Sequence, residues 1–135
     1  RRCQVTDGSR TEPRWLGVDI ALAVHDRQLA EHGGVAGVRD RGVLESVLVR
    51  PVNQWACGED DPMRLAAAYA FGIARNHPFG DGNKRTAWVL ARLFLHINGH
   101  SLRFEAQEAI ETVLALASGH LSEEELAVWF RGRLD

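Results

Sequence analysis

The sequence predicts an all-α protein that forms a single domain, and three observations support this prediction. Apolar residues recur at steps of three and four along most of the chain, which is the period of an amphipathic helix. Residue types that typically begin and end helices bracket these segments. The 135 residues contain no internal repeat, linker or low-complexity stretch, and this length suits one domain with a substantial core.

The domain is predicted to begin after a short lead-in. Residues 1–14 are polar and have no period, whereas residues 15–135 carry the periodic pattern. The first predicted helix covers residues 15–32, and Gly33-Gly34 stops it. Residues 32–39 are rich in glycine and are predicted to form a loop or short hairpin, which we call the flap.

Two further helices are predicted before the middle of the chain. Asp40 is a suitable N-cap for a helix that ends at about residue 50, because Pro51 disfavours its continuation. Residues 53–60 are predicted to form a loop. Asp61-Pro62 is an N-cap followed by proline at the first helical position, so a helix is expected to begin there and to run to about residue 75.

The second half of the chain predicts three more helices. A long apolar helix is expected over residues 83–97, and Asn98-Gly99 ends it. Another helix is expected over residues 105–117. Ser122 and Glu125 have the spacing of a capping box, which predicts the start of the last helix.

Composition excludes several classes of function. Hydrophobic residues make up 45% and charged residues 25% of the chain, as is typical of soluble globular proteins. A net charge of -2 argues against direct binding of nucleic acid, which usually needs a basic surface. No apolar run approaches the roughly 18 residues that cross a membrane. The two cysteines, Cys3 and Cys57, lack metal-site spacing and are predicted to be free thiols in a reducing cytoplasm.

The most informative segment is His77-Pro78-Phe79-Gly80-Asp81-Gly82-Asn83-Lys84-Arg85, between two predicted helices. A glycine turn before a helix directs backbone N–H groups and the positive helix end toward an anion. Lys84 and Arg85 add charge-assisted hydrogen bonds to phosphate oxygens. Gly80 and Gly82 let the backbone approach these oxygens, and Asn83 can face them. The segment therefore predicts a nucleotide-phosphate site.

Two residues of this segment suit the chemistry of phosphate transfer. Asp81 can hold Mg²⁺, an ion that favours one or two carboxylates together with substrate phosphates. His77 can accept a proton from an attacking hydroxyl, since a histidine imidazole has an unperturbed pKa of about 6.5. Phe79 is predicted to support the loop by burying its ring beneath it. Arg75 either supports the site or only provides a cation at a helix C-terminus.

Simpler interpretations of the same residues remain open. The two glycines, Gly80 and Gly82, are also ordinary turn residues, and both interpretations can hold together. Asn83 can be the N-cap of the following helix and still face phosphate. Lys84 and Arg85 can form a solvated first turn. Cations there oppose the helix dipole, which makes sense if an anion is usually bound, so the functional interpretation is favoured.

The same segment, extended by Thr86-Ala87, resembles the signature of the Fic/Doc superfamily, and Asn83-Lys84-Arg85 is similar to the form found in its Doc branch. Asp40 to Ser46 resembles the segment before the central Doc helices, and Ile20 to Gly34 resembles the first helix and its loop. The resemblance covers residues 15 to about 133. It implies a compact helical bundle with a flap.

The resemblance implies a Doc-type kinase that uses ATP and Mg²⁺. His77 would be the general base, Asp81 would hold Mg²⁺, and residues 82–85 would cradle the nucleotide phosphates. Fic enzymes that transfer AMP carry a glycine in place of Lys84 and an arginine in place of Trp88. Lys84 would intrude on the inner phosphates of an AMP donor, and Trp88 cannot bind the terminal ones. Doc-type proteins instead transfer the γ-phosphoryl group.

Two alternative functions remain open because the sequence departs from the Doc pattern. Gly82 stands where the Doc prototype has alanine, and His77-Pro78 also resembles Fic proteins. A Fic-type nucleotidyltransferase (AMPylation) therefore remains an alternative, and a catalytically silent module that binds a nucleotide or a partner is a second one. The Doc resemblance implies a bacterial cytoplasmic toxin that modifies a threonine of elongation factor Tu and arrests translation. It also implies inhibition by a Phd-like antitoxin.

Overall fold

A computed structural model describes residues 8–135 and confirms the all-α prediction. Apart from two isolated β-bridges, the regular structure of the described part is helical. The six helices, in chain order, are α1 Val18–His32, α2 Arg41–Ala56, α3 Pro62–Asn76, α4 Asn83–Ile97, α5 Ala106–Ser118 and α6 Glu123–Arg131. In this part of the chain no helix is long and apolar enough to cross a membrane.

Helix α3 is the centre of the fold, because four of the other helices pack against it. Most of its side chains are buried, and alanines predominate among them. Such small residues let neighbouring helices approach closely. The phenol of Tyr69 accepts a hydrogen bond from the Leu16 N–H (3.0 Å), and burial raises the pKa of Tyr69 to about 12. The site between α3 and α4 is therefore carried by the closely packed centre of the fold.

Three predicted helix starts are confirmed by their capping hydrogen bonds. The Asp40 carboxylate accepts from the Val43 N–H at the start of α2, and the Asp61 carboxylate accepts from the Met63 N–H at the start of α3. The Ser122 hydroxyl accepts from the Glu125 N–H, and the Glu125 carboxylate accepts from the Ser122 N–H. Side-chain oxygens thus satisfy backbone donors that would otherwise lack partners.

The predicted end of the second helix is wrong. Helix α2 continues through Pro51 to Ala56, so the loop predicted over residues 53–60 begins only at Cys57. Proline inside a helix removes one backbone hydrogen bond and costs about 3 kcal/mol. Pro51 is buried on the same face as Leu44, Val47 and Leu48. Burial of this apolar face offsets the local cost, and the sequence pattern alone did not reveal it.

The end of α2 and the loop after it are held by Arg10 and contain a bonded cysteine. The Arg10 guanidinium donates to Asp60 (2.7 Å) and lies 4.1 Å from the Trp55 ring centroid. Cys57 is part of a disulfide, so the predicted free thiol at this position is wrong. Cys3, the other cysteine, and the first half of the predicted lead-in lie outside the described residues.

The flap pairs with the α3–α4 loop instead of forming a hairpin of its own. A single antiparallel bridge joins Val38 to Phe79. Gly33 and Gly34 have φ angles of 75° and 125°, which turn the chain sharply after α1. The flap therefore covers one side of the segment that the sequence singled out.

Candidate functional site

The candidate site is the loop between α3 and α4. The residues at its two ends have a left-handed backbone conformation. His77 ends α3 with φ 50° and ψ 59°, while its N–H donates to the Ile73 carbonyl (3.1 Å). It is the one non-glycine residue with positive φ in the described part of the chain. Such backbone strain at a residue other than glycine is often found at functional sites. Gly82, with φ 73°, precedes α4 at the other limit.

The side chain of Asn83 holds the inside of the loop together. Its Oδ1 accepts from the Phe79 N–H (3.0 Å), and its Nδ2 donates to the Phe79 carbonyl (3.1 Å). Both residues are buried. The N-cap of α4 is Gly82, so the interpretation of Asn83 as the cap is wrong. The Asn83 amide fixes the loop from within, and its predicted contact with phosphate remains a prediction.

The flap fixes the outside of the loop through backbone hydrogen bonds. The Gly80 N–H donates to the Gly37 carbonyl (3.0 Å). The Pro78 carbonyl accepts from the N–H groups of Arg39 (2.7 Å) and Asp40 (3.1 Å). The N–H of Gly80 thus binds the flap, and the role of Gly80 toward phosphate stays a prediction.

The carboxylate of Asp81 is exposed to solvent and accepts hydrogen bonds from two backbone N–H groups. Oδ1 accepts from the Gly82 N–H (2.8 Å), and Oδ2 accepts from the Val35 N–H of the flap (3.3 Å). The bond from Gly82, followed by that from Val35, lowers the pKa of the Asp81 carboxyl below its ordinary value, and the positive charge of Arg85 adds to this effect. The carboxylate is therefore ionised at neutral pH.

His25 belongs to the site, although the sequence interpretation did not include it. Its side chain is only 1% exposed, and its Nε2 lies 2.8 Å from the carbonyl oxygen of Asp81. Its ring is stacked on Phe79 with 3.9 Å between centroids and 7° between planes. One signal could have revealed it, because His25 lies four residues from both Ala21 and Leu29, on the apolar face of α1.

A cleft of about 530 Å³ opens beside this loop. One wall carries the exposed side chains of His77, Asp81, Lys84 and Arg85. The other wall is an apolar strip of α5. Its members are Ile110, Val113 and Leu114. Neither Lys84 nor Arg85 forms a hydrogen bond or salt bridge with another described residue, so both cations are available to a ligand. Among the described residues no side chain caps α4, which leaves N–H groups of its first turn available to an anion.

Arg75 and Trp88 lie away from the cleft. The Arg75 guanidinium is 5.3 Å from the Phe71 ring centroid, and it approaches Gly119 at the end of α5. Trp88 is buried, and its ring packs on Phe104 and other aromatic residues. The position at which AMP-transferring Fic enzymes carry an arginine therefore faces the core in this chain. The support of the site by Arg75 stays a prediction.

Comparison with known proteins agrees with the resemblance. A family model described as Fic/DOC family matches residues 15–95, which include the whole candidate loop. The chain is 33% identical over 115 residues to Protein kinase doc of Escherichia phage P1, and the match covers 84% of this chain and 90% of that protein. It is 39% identical over 105 residues to Toxin Doc of Mycolicibacterium smegmatis, covering 74% of this chain and 80% of that protein.

Proposed function

The chain belongs to the Fic/DOC family, and from this premise we propose that it is a Doc-type toxin with kinase activity. It would transfer the γ-phosphoryl group of ATP to a hydroxyl of a protein target. One observation carries the proposal. An exposed imidazole, an ionised carboxylate, two cations that form no hydrogen bond or salt bridge with another described residue, and a helix N-terminus that no described side chain caps line the same cleft.

The first turn of α4 is the proposed phosphate cradle. Its free N–H groups and the positive end of the helix dipole attract anions. Lys84 and Arg85 oppose this dipole when the site is empty of anions, and they stabilise the charge of the phosphates when a nucleotide is bound. Phosphoryl transfer needs mainly positioning and charge stabilisation, which this arrangement supplies.

His77 is the proposed general base. Its left-handed backbone turns the side chain out of α3 and into the cleft, where it forms no hydrogen bond with another described residue. The target hydroxyl would give its proton to the imidazole as its oxygen bonds to the γ-phosphorus. The bond between that phosphorus and the β–γ bridging oxygen would break, and ADP would leave with the electron pair.

The chemistry of Asp81 fits Mg²⁺. Mg²⁺ binds through one or two carboxylates, substrate phosphates and water, and Asp81 is the one carboxylate in the described lining of the cleft. Its lowered pKa keeps it ionised, and carboxylate oxygens have lone pairs beyond those used by the Gly82 and Val35 N–H groups. When bound, the ion would neutralise charge on the phosphates.

Lys84 and Trp88 favour γ-phosphoryl transfer over nucleotidyl transfer. Lys84 lines the cleft with a long charged side chain, at the position where AMP-transferring Fic enzymes have glycine. Trp88 is buried in the core, so this position offers no terminal-phosphate contact. The name of the phage P1 relative, Protein kinase doc, supports the same choice.

The target and the inhibitor are proposed from the family resemblance. The target would be a threonine of elongation factor Tu, whose modification would arrest translation. A Phd-like antitoxin would neutralise the toxin in the bacterial cytoplasm. The names of both relatives as Doc proteins, one of them a toxin, support a toxin–antitoxin system with an antitoxin partner.

Label transfer into bacterial lysate tests the activity directly. ATP labelled on either the γ- or the α-phosphate is supplied with Mg²⁺ to the wild type and to His77→Asn. Asparagine tolerates the left-handed backbone of position 77 but cannot act as the base. His96→Asn is the matched control, because His96 is exposed on α4 outside the cleft.

A band near the size of elongation factor Tu is expected from the γ-label alone, with the wild type and the control but not with His77→Asn. A band from the α-label would overturn the kinase proposal and make the protein a nucleotidyltransferase. No band from either label would favour a silent module that binds a nucleotide or a partner.

A further inference from the structure

A buried histidine from the first helix contacts two points of the loop that carries the proposed chemistry. His25 lies in the middle of α1, and its two contacts are with residues more than fifty positions later in the chain. Its ring stacks on Phe79, and its Nε2 meets the backbone oxygen of Asp81. These contacts join α1 to both sides of Gly80.

We propose that His25 is a positioning residue that orients Asp81 for metal and phosphate binding, an inference that rests on the proposed function. A backbone carbonyl can only accept a hydrogen bond, so Nε2 must carry the proton and donate it to Asp81. The geometry thereby fixes the tautomer of the neutral ring as the Nε2–H form.

With this bond, Asp81 is held at three of its oxygens. The Gly82 and Val35 N–H groups hold the two carboxylate oxygens, and His25 holds the carbonyl oxygen. The peptide that carries the carboxylate cannot rotate without breaking the His25 bond. The orientation of the carboxylate and of its free lone pairs is therefore fixed, as a metal ligand requires.

The stacking of His25 on Phe79 supports the same loop from its buried side. Phe79 is buried between the His25 ring and the core, and Asn83 binds its N–H and its carbonyl. The stack could fix the height of the loop even if the hydrogen bond were absent. The two contributions must therefore be separated by variants that remove one and keep the other.

His25→Phe keeps a flat ring over Phe79 and removes the donor. His25→Gln removes the ring and keeps an amide N–H whose reach is similar to that of Nε2. If His25 positions Asp81 through its hydrogen bond, His25→Phe lowers kcat by about 10- to 100-fold, the usual effect of losing a partner of a ligating group. His25→Gln recovers most of that loss. The same two changes at His96 serve as the control.

If His25 only fills space in the core, the kcat values of the two variants should have the opposite order. His25→Phe would then be as active as the wild type, because an apolar ring suits a buried stack, and His25→Gln would be the damaged variant. This order of kcat values overturns the inference. Thermal unfolding of each variant shows whether a loss of activity reflects a loss of folded protein.

Nuclear magnetic resonance of the wild-type ring gives a readout that does not depend on activity. A long-range ¹H–¹⁵N spectrum is expected to show His25 as the Nε2–H tautomer, and a Nδ1–H tautomer would overturn the inference. If the wild type shows the expected tautomer but no transfer dependent on His77, the proposed function fails and the His25 contact stands. If transfer occurs and His25→Phe matches the wild type, the inference about His25 fails and the proposed function stands.

Discussion

At the scale of single residues, Asp81 is the point on which the electrostatics of the site depend. Its carboxylate is exposed, yet two backbone N–H groups and a nearby cation stabilise the charged form. The unfolded chain has none of these partners. The protonation of one side chain is therefore linked to the stability of the whole protein.

The pH dependence of this linkage can be measured on Asp81→Asn. The folded-state pKa of Asp81 lies below its ordinary value of 3.8, so its stabilising effect is complete above that value and is lost as the pH falls through the lowered pKa. The difference in Tm between wild type and variant should be constant above about pH 5 and should shrink below about pH 4. Calorimetry across this range tests it.

Asp26→Asn is the matched control for this measurement. Asp26 is exposed on α1, and its carboxylate forms no hydrogen bond or salt bridge with another described residue. Its removal is expected to leave a small difference in Tm that hardly changes with pH. A difference for Asp81→Asn that widened on acidification would contradict the assignment of the lowered pKa.

At the scale of helices, the packing of α2 on α3 depends on one glycine. A Cβ atom built on Gly72 would lie 2.6 Å from Cγ1 of Val47, which is closer than real contacts allow. Val47 is buried and β-branched, so its side chain cannot turn aside at low cost. The close approach of these helices therefore requires the absence of a side chain at position 72.

This packing predicts that the effect of Gly72→Ala on the free energy of unfolding changes sign when Val47 is replaced. In the wild type, Gly72→Ala should destabilise the protein, because overpacking costs about 1–3 kcal/mol and exceeds the gain of about 1 kcal/mol in helix propensity. In the Val47→Ala background, the same change should be neutral or stabilising, since the conflicting methyl groups are gone. Urea unfolding of the four proteins gives the coupling energy. Additive effects would show that the contact is not the cause.

The three helix starts that carry a side-chain cap could be predicted from the sequence, whereas one helix end and the flap could not be fully predicted. Asp61 and Ser122 cap their helices by local hydrogen bonds, which depend only on residues a few positions away. Pro51 is a local stop signal that tertiary burial overrides. The flap pairs with Phe79, a residue about forty positions later, so its partner is not visible in its own sequence.

At the scale of the whole molecule, the site is assembled from four separate parts of the chain. Helix α1 supplies His25, the flap supplies the Val35 N–H, the α3–α4 loop with the first turn of α4 supplies the charged residues, and α5 supplies the apolar wall. The sequence motif indicated the charged residues because they are contiguous. The contribution of His25 became visible only when the fold brought α1 against the loop.

Because the site exists only in the folded protein, its ligand should stabilise the entire fold. A ligand present at about 100 times its Kd adds about 2.7 kcal/mol to the free energy of unfolding when it binds the folded state alone. ATP with Mg²⁺ is therefore expected to raise the Tm of the wild type. Removing Mg²⁺ with a chelator should reduce this shift, since Asp81 would then have no cation to hold beside the phosphates.

Three variants make this shift specific to the proposed geometry. Replacing Lys84 and Arg85 together with glutamine should abolish it, because the phosphates lose both cations. Asp81→Asn should keep part of the shift and lose its dependence on Mg²⁺. His77→Asn should keep the full shift while losing label transfer, since a base that acts on the target hydroxyl contributes little to nucleotide binding. An unchanged Tm of the wild type at saturating ATP and Mg²⁺ would show that this cleft does not bind the nucleotide.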